Sequence, residues 1–209
     1  MRGRPKNAQP EVTANKILHA STELFASHGF HGTSFRTIAK ASGLSIGTIQ
    51  HHFGTKDRLY DACIASMYKE LGQVVDGLAE FLDDGPREFL ERAVIHGFEF
   101  GLEHRTSVRL LTRAIQDGDG LPSTIRDEHA QPLLKTASET VSAALGIELS
   151  VATFGLQSSI FLIVRYALAS ERELKDFSFG SDLDPIEAVK KHLVQVVPMI
   201  IMGDSNFLK

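Results

Sequence analysis

One cysteine, Cys63, stands among the 209 residues, so no intrachain disulfide framework can staple this chain. Small disulfide-dense secreted folds are excluded, and a reducing compartment is expected. Long apolar runs are also missing. The longest, around residues 160–169, contains Arg165 and is too short to span a bilayer, so no membrane partner is expected. The chain opens with Arg2, Gly3, Arg4, Pro5 and Lys6 and has no apolar segment there, so a secretory leader is not expected and the cytoplasm is the expected location. No stretch alternates apolar and polar residues as a half-buried strand would, and no internal repeat occurs. The GK[ST], HExxH and GxGxxG patterns are absent, which removes several common enzyme signatures. Asp117, Asp119 and Glu128 superficially echo a calcium loop, but Pro122 falls where such a loop needs glycine. His96, Glu99, Glu103 and His104 share helical spacing that reads as a solvated face. No metal and no cofactor are expected.

The composition is that of a globular protein, with 43% hydrophobic and 23% charged residues. Its charge is unevenly spread. Residues 1–60 carry 8 Lys plus Arg against 3 Asp plus Glu, whereas the remainder carries 14 against 23, so a net +5 segment precedes a net −9 segment. A basic end on an acidic chain points to an anionic partner there. Apolar residues recur at helical spacing throughout, and the expected fold is all-α. Helices are expected over 11–28, 35–41, 46–53, 56–82, 87–103, 107–116, 123–145, 149–170 and 184–202, with a loop at 117–122 and Pro198 kinking or ending the last helix.

Residues 32–59 carry the most specific pattern. Thr33 or Ser34 can cap one short helix and Ser45 a second, with Gly43 supplying a positive-φ turn between them. Ile38, Ala39, Leu44, Ile49 and Phe53 form the buried set. That is a helix-turn-helix, whose second helix enters the major groove by its N-terminal end. Ser45, Ile46, Gly47, Thr48, Gln50, His51 and His52 remain on or near the outer face, and nearly all can donate, accept or touch a base methyl. His51 and His52 are adjacent, so their side chains diverge and do not make one metal site.

These residues resemble the signature of the TetR family. Thr33-Ser34, Ile38-Ala39, Gly43-Leu44-Ser45, Gly47-Thr48-Ile49, His52-Phe53 and Lys56-Asp57 match it in order. The family usually has Tyr where this chain has Gln50, which can bond a phosphate or read adenine. The resemblance implies a flexible basic arm over 1–10, an N-terminal three-helix bundle with the helix-turn-helix over 11–55, and a larger helical ligand-binding and dimerisation domain over 56–209. It implies that Thr33, Arg36, His52 and Lys56 hold phosphates of double-stranded DNA. Ser45, Ile46, Gly47, Thr48, Gln50 and His51 would face bases or nearby backbone. Arg2 and Arg4 suit a minor-groove hook, or equally a solubilising tail.

The family pattern further implies a homodimer built by the last two long helices, through faces that include Phe154, Ile160, Phe161, Val164, Leu193, Val196 and Val197. The same stripe also reads as intradomain core. A small-molecule effector is expected in the second domain, with His96, Phe100, Arg113, Gln116 and Arg165 as candidate contacts, although Arg165 also suits a structural ion pair. The implied function is a transcription repressor, not an enzyme, that binds a palindromic operator and is released by the effector. The alternatives are a helical interaction protein or an enzyme with a vestigial helix-turn-helix.

Overall fold

A computed structural model describes residues 10–116 and 121–203. The basic arm with Arg2 and Arg4, and the acidic turn at 117–120, lie outside the described residues. Helix α1 (Pro10–Gly32) buries Ile17, Ser21, Phe25 and Ala26 along one face. Gly29 interrupts its winding at φ 73°, ψ 176°. Helix α2 (Phe35–Ser42) starts from Ser34, whose side chain accepts from the Thr37 amide while the Thr37 hydroxyl accepts from the Ser34 amide. This reciprocal box satisfies two orphan donors of the first turn. Gly43, at φ 65°, closes α2 in the left-handed region where a side chain would be strained. Helix α3 (Ile46–Phe53) follows at once, capped by Ser45, whose hydroxyl accepts from the Thr48 amide at 3.0 Å.

Helix α4 (Lys56–Gly77), capped by Thr55, ties the two ends of the molecule together. The continuous helix expected over 56–82 tightens at its end into a 3₁₀ segment (Leu78–Asp84), which buries Leu78 and Phe81 three residues apart. Helices α5 (Pro86–Glu103) and α6 (Arg105–Gln116) come next. The single helix expected over 123–145 is three pieces: α7 (Ser123–Ile125), a π turn (Arg126–Ala130) and α8 (Gln131–Leu145). Pro132 explains the break. It has no amide to donate to the Glu128 carbonyl, and its ring crowds that carbonyl, so the Gln131 amide reaches back to Arg126 instead. Helix α9 (Leu149–Ala167) stops short of residue 170, because Ser170 caps an additional helix, α10 (Glu171–Phe177). Helix α11 (Pro185–Met202) keeps to the expected range and ends at Gly203, so of the two expectations for Pro198, a kink or an end, the end is excluded. Pro198 is buried within that helix and packing holds the segment helical around it.

Two apolar cores result. The first gathers Ile17, Phe25, Ile38, Ile49, Leu59 and Ile64, and extends to Leu110 and Ala114 of α6 and Ile125 of α7. A boundary at residue 55 therefore falls inside a single core, which α4 and α6 complete. The second core joins α5, α8, α9, α10 and α11 around Phe89, Phe98, Val141, Leu174, Leu193 and Val197. Glycine sets its closest crossing: a Cβ built on Gly155 of α9 would sit 2.8 Å from the Ile201 Cα of α11, so these two backbones meet only because no side chain intervenes.

Candidate nucleic-acid interface

Helix α3 buries Ile49 completely and turns Ser45, Ile46, Gly47, Gln50 and His51 outward, with Thr48 and His52 half-buried. Ser45 and Thr48 are joined by a 2.8 Å hydroxyl contact, so the cap is fixed at the end of the helix that a major groove would admit. Ile46 is 41% exposed, an apolar side chain beside polar ones, suited to a thymine methyl. A Cβ on Gly47 would meet nothing closer than the Ser45 hydroxyl at 3.8 Å. Nothing within the chain therefore demands glycine at 47. Neither α2 nor α3 contains an acidic residue, whereas α2 presents Arg36 and Lys40 to solvent. His51 and His52 meet edge to face, with ring centroids 5.7 Å apart and planes at 80°.

Two residues assigned to phosphate are directed inward instead. Thr33 is 2% exposed, and its hydroxyl donates to the Gly29 carbonyl at 2.9 Å and the Leu24 carbonyl at 3.2 Å. It stitches the broken end of α1 and is not the α2 cap, which is Ser34. Lys56 Nζ donates to the Phe30 carbonyl at 2.9 Å and the Thr33 carbonyl at 3.1 Å, and lies 4.1 Å from the centre of the Phe30 ring. Its ammonium clamps the end of α1 to the start of α4. Cys63 is buried, its S–H points at the Leu18 carbonyl, and burial pushes its thiol up to about 12, so it carries no nucleophilic chemistry.

The five effector candidates are not gathered around one cavity. His96 meets Phe81 edge-on, Phe100 stacks on His104, and Gln116 is exposed at the end of α6. Arg113 donates to the Ala26 carbonyl at 3.1 Å, joining α6 to α1. Arg165 pairs with Glu173 at 2.8 Å on the exposed side of α9, the structural ion pair that was its alternative reading. Glu99 and His104, of the face expected to be solvated, pair with Lys190 and Glu70 respectively. A cleft of about 660 Å³ lies elsewhere, between α1, α4, the π turn and α8, and none of the five lines it. Periodicity could not have found it, since its walls come from segments far apart in sequence.

On the expected dimer face, Phe154 is 76% and Phe161 68% exposed, Ile160 is also exposed, and Val164 and Val196 are half-buried. Leu193 and Val197 are wholly enclosed in the second core and are withdrawn from that face. Val151 and Met199, not anticipated, extend the exposed patch. Helix α9 is long and apolar enough to cross a membrane by length and composition. It is nevertheless anchored by one face, through Ala152, Gly155, Ser159 and Ala167, in the chain's own interior.

Residues 17–63 match the family model for bacterial regulatory proteins of the tetR family. A helix-turn-helix-type transcriptional repressor of Mycobacterium tuberculosis is 35% identical over 109 residues, 52% of this chain and 49% of that protein. The Escherichia coli helix-turn-helix-type regulator UidR is 44% identical over 57 residues, 27% of this chain and 28% of its own. The chain thus spans about half the length, or less, of these curated relatives. A TetR-like transcriptional regulator from Rhodococcus superposes over 96% of this chain and 100% of its own, with a TM-score of 0.67 at 21% identity. FadR of Bacillus subtilis, solved in complex with stearoyl-CoA, superposes over 91% of this chain and 98% of its own, with a TM-score of 0.61 at 17% identity. Likeness at such identities speaks for the fold from end to end, while the sequence matches concentrate on the helix-turn-helix.

Proposed function

We propose that this chain, whose residues 17–63 match the family model for bacterial regulatory proteins of the tetR family, is a sequence-specific repressor of transcription of that family. It binds a palindromic operator as a homodimer and is released by a small-molecule effector. The observation that carries this reading is α3 itself, anchored by Ile49 and presenting an outer face with no acidic residue beside Arg36 and Lys40. Arg36 holds a phosphate. Ser45, Ile46, Thr48, Gln50 and His51 meet base edges, Gly47 admits the backbone, and His52 lies at the groove margin. The basic arm with Arg2 and Arg4 adds a minor-groove contact.

The homodimer is supported by the apolar face of α9, where Phe154 and Phe161 stand uncovered. A two-fold axis through that face would set two α3 helices about 34–36 Å apart, one turn of DNA, and so demand a palindrome. Release by an effector is supported by the shared first core, since α4 packs on α1 and α3 and also on α5 and α8, while α6 packs on α1 and α4 and also on α5. An effector shifts the equilibrium only as far as it prefers the non-binding arrangement. The stearoyl-CoA complex of the Bacillus subtilis neighbour is a precedent for a small ligand on this fold. This reading puts the protein at work in the cytoplasm.

The test is a gel shift on DNA flanking the protein's own gene, across a salt series. One palindromic fragment should bind tightly and be lost steeply with salt. Arg36→Ala should weaken all fragments alike and lower the salt slope by about one unit, whereas Gln50→Ala should cost about 1–3 kcal/mol of base discrimination at one position. Equal weak binding to every fragment would remove the specific-repressor reading.

A further inference from the structure

Helix α9 turns more than a flat apolar stripe to the outside. Val151, Phe154, Ser158, Phe161 and Arg165 are exposed at alternating spacings of three and four, the seam along which one helix packs on another. Within that seam lies a cavity of about 300 Å³. Its α9 lining includes Val151, Phe154, Gly155 and Ser158. These stand at i, i+3, i+4 and i+7, the four positions that make a hole for a knob from a facing helix. Ile200 and Ile201 of α11 form the far wall, brought up by the close crossing at Gly155. A void of roughly 150 Å³ is enough to hold benzene, so this one takes a phenylalanine ring.

We propose that the ring filling it is Phe161 of a second copy of this chain, with the two α9 helices antiparallel and Ser158 at the two-fold axis. This register rests on the homodimer reading and deepens it. Phe161 lies three residues after Ser158 and Gly155 three before it. An axis crossing the helices at Ser158 therefore sets each Phe161 over the hole of the other copy. Knob and hole stand at equal distances from one small exposed residue, so a second copy satisfies both at once, as a self-complementary two-fold contact requires. Charge selects the antiparallel arrangement. Arg165 is the only charged residue of α9. A parallel pair would set Arg165 against Arg165 and Phe161 against Phe161, and would leave the hole open. The antiparallel pair sets Arg165 over Val151 of the second copy, one turn from the exposed Glu148. A guanidinium has five donors, so Arg165 can meet that carboxylate and keep Glu173 at 2.8 Å.

Cysteine cross-linking of the full chain reads the register. The native Cys63 is buried, so thiols added at exposed positions report alone. Helices packed about 8–10 Å apart, each with a Cα radius of about 2.3 Å, set facing Cα atoms about 4–6 Å apart, within disulfide range. Under copper–phenanthroline oxidation, Ser158→Cys should link to its own copy. Val151→Cys and Arg165→Cys should link to each other when the two variants are mixed and exchange subunits, and neither should link alone. Phe161→Ala empties the hole and should weaken dimerisation about tenfold or more in analytical ultracentrifugation. Self-linking of Arg165→Cys marks a parallel pair and overturns the proposal. So does a dimer in which Ser158→Cys stays unlinked, or in which Phe161→Ala associates undiminished. In each of these cases the homodimer reading stands. An unaltered chain that sediments only as a monomer ends that reading and this register together.

Discussion

A lysine ammonium carries three donors, and Lys56 turns two of them onto the carbonyls of Phe30 and Thr33. Charge-assisted bonds to a chain end that would otherwise fray are worth more than neutral ones. Lys56→Met keeps the stem and removes the bonds. It should lower stability in urea unfolding by about 1–2 kcal/mol and leave the salt dependence of DNA binding unchanged. A salt slope lowered by about one unit at full stability would return the ammonium to a phosphate. The contrast with Ser45 shows what was readable at this scale. Ser45 caps a helix three residues away, so its role follows from spacing alone. Lys56 acts 26 residues back along the chain, and Thr33 acts on Leu24 across the break at Gly29, so their partners exist only after folding.

Among the elements, α2 and α3 were legible because cap, turn glycine and apolar period agree within a few residues. Helix α10 was hidden behind the apolar run of α9, although Ser170 and Glu173 carry the spacing of a capping box. The Ser170 amide first, and then Arg165, hold the Glu173 carboxyl down at about 2 instead of its ordinary 4.5. A carboxylate depressed in the folded state contributes stability above its ordinary range, and that contribution fades as pH falls from 4.5 toward 2. An acid titration followed at the Ser170 amide by NMR should give a midpoint near 2, rising in Arg165→Gln. A midpoint at 4.5 in the unaltered chain would deny the cap. The crossing of α9 and α11 gives a second expectation. Gly155→Ala forces a Cβ to 2.8 Å from the Ile201 backbone, and should cost about 1–3 kcal/mol in thermal or urea unfolding. Unchanged stability would mean that the two helices slide apart freely.

Across the whole molecule, helical period identified α9 and α11 as the carriers of a large apolar stripe but could not divide it between the chain's own core and an outside surface. Leu193 and Val197 went to the core, and Phe154 and Phe161 stayed outside. Phe154 and Phe161, with Val151 and Ile160 exposed on the same helix, gather apolar side chains at the surface as an interaction face does. Phe161→Glu should therefore yield a folded monomer by sedimentation, with operator affinity collapsing because two half-sites no longer share one protein. A dimer that withstands Phe161→Glu would move the two-fold axis elsewhere. The π turn has a bearing at this scale too. A π turn holds one residue more than an α turn of about the same sweep, so deleting any one of residues 126–130 to restore uniform α winding would leave α8, and with it Ala137 and Val141, nearly in their present phase against α7. Arg126, Asp127 and Glu128 are exposed and free to vary in kind. Their number is loose by one as well, and this stretch of surface acts as slack that takes up a residue without turning α7 and α8 against each other.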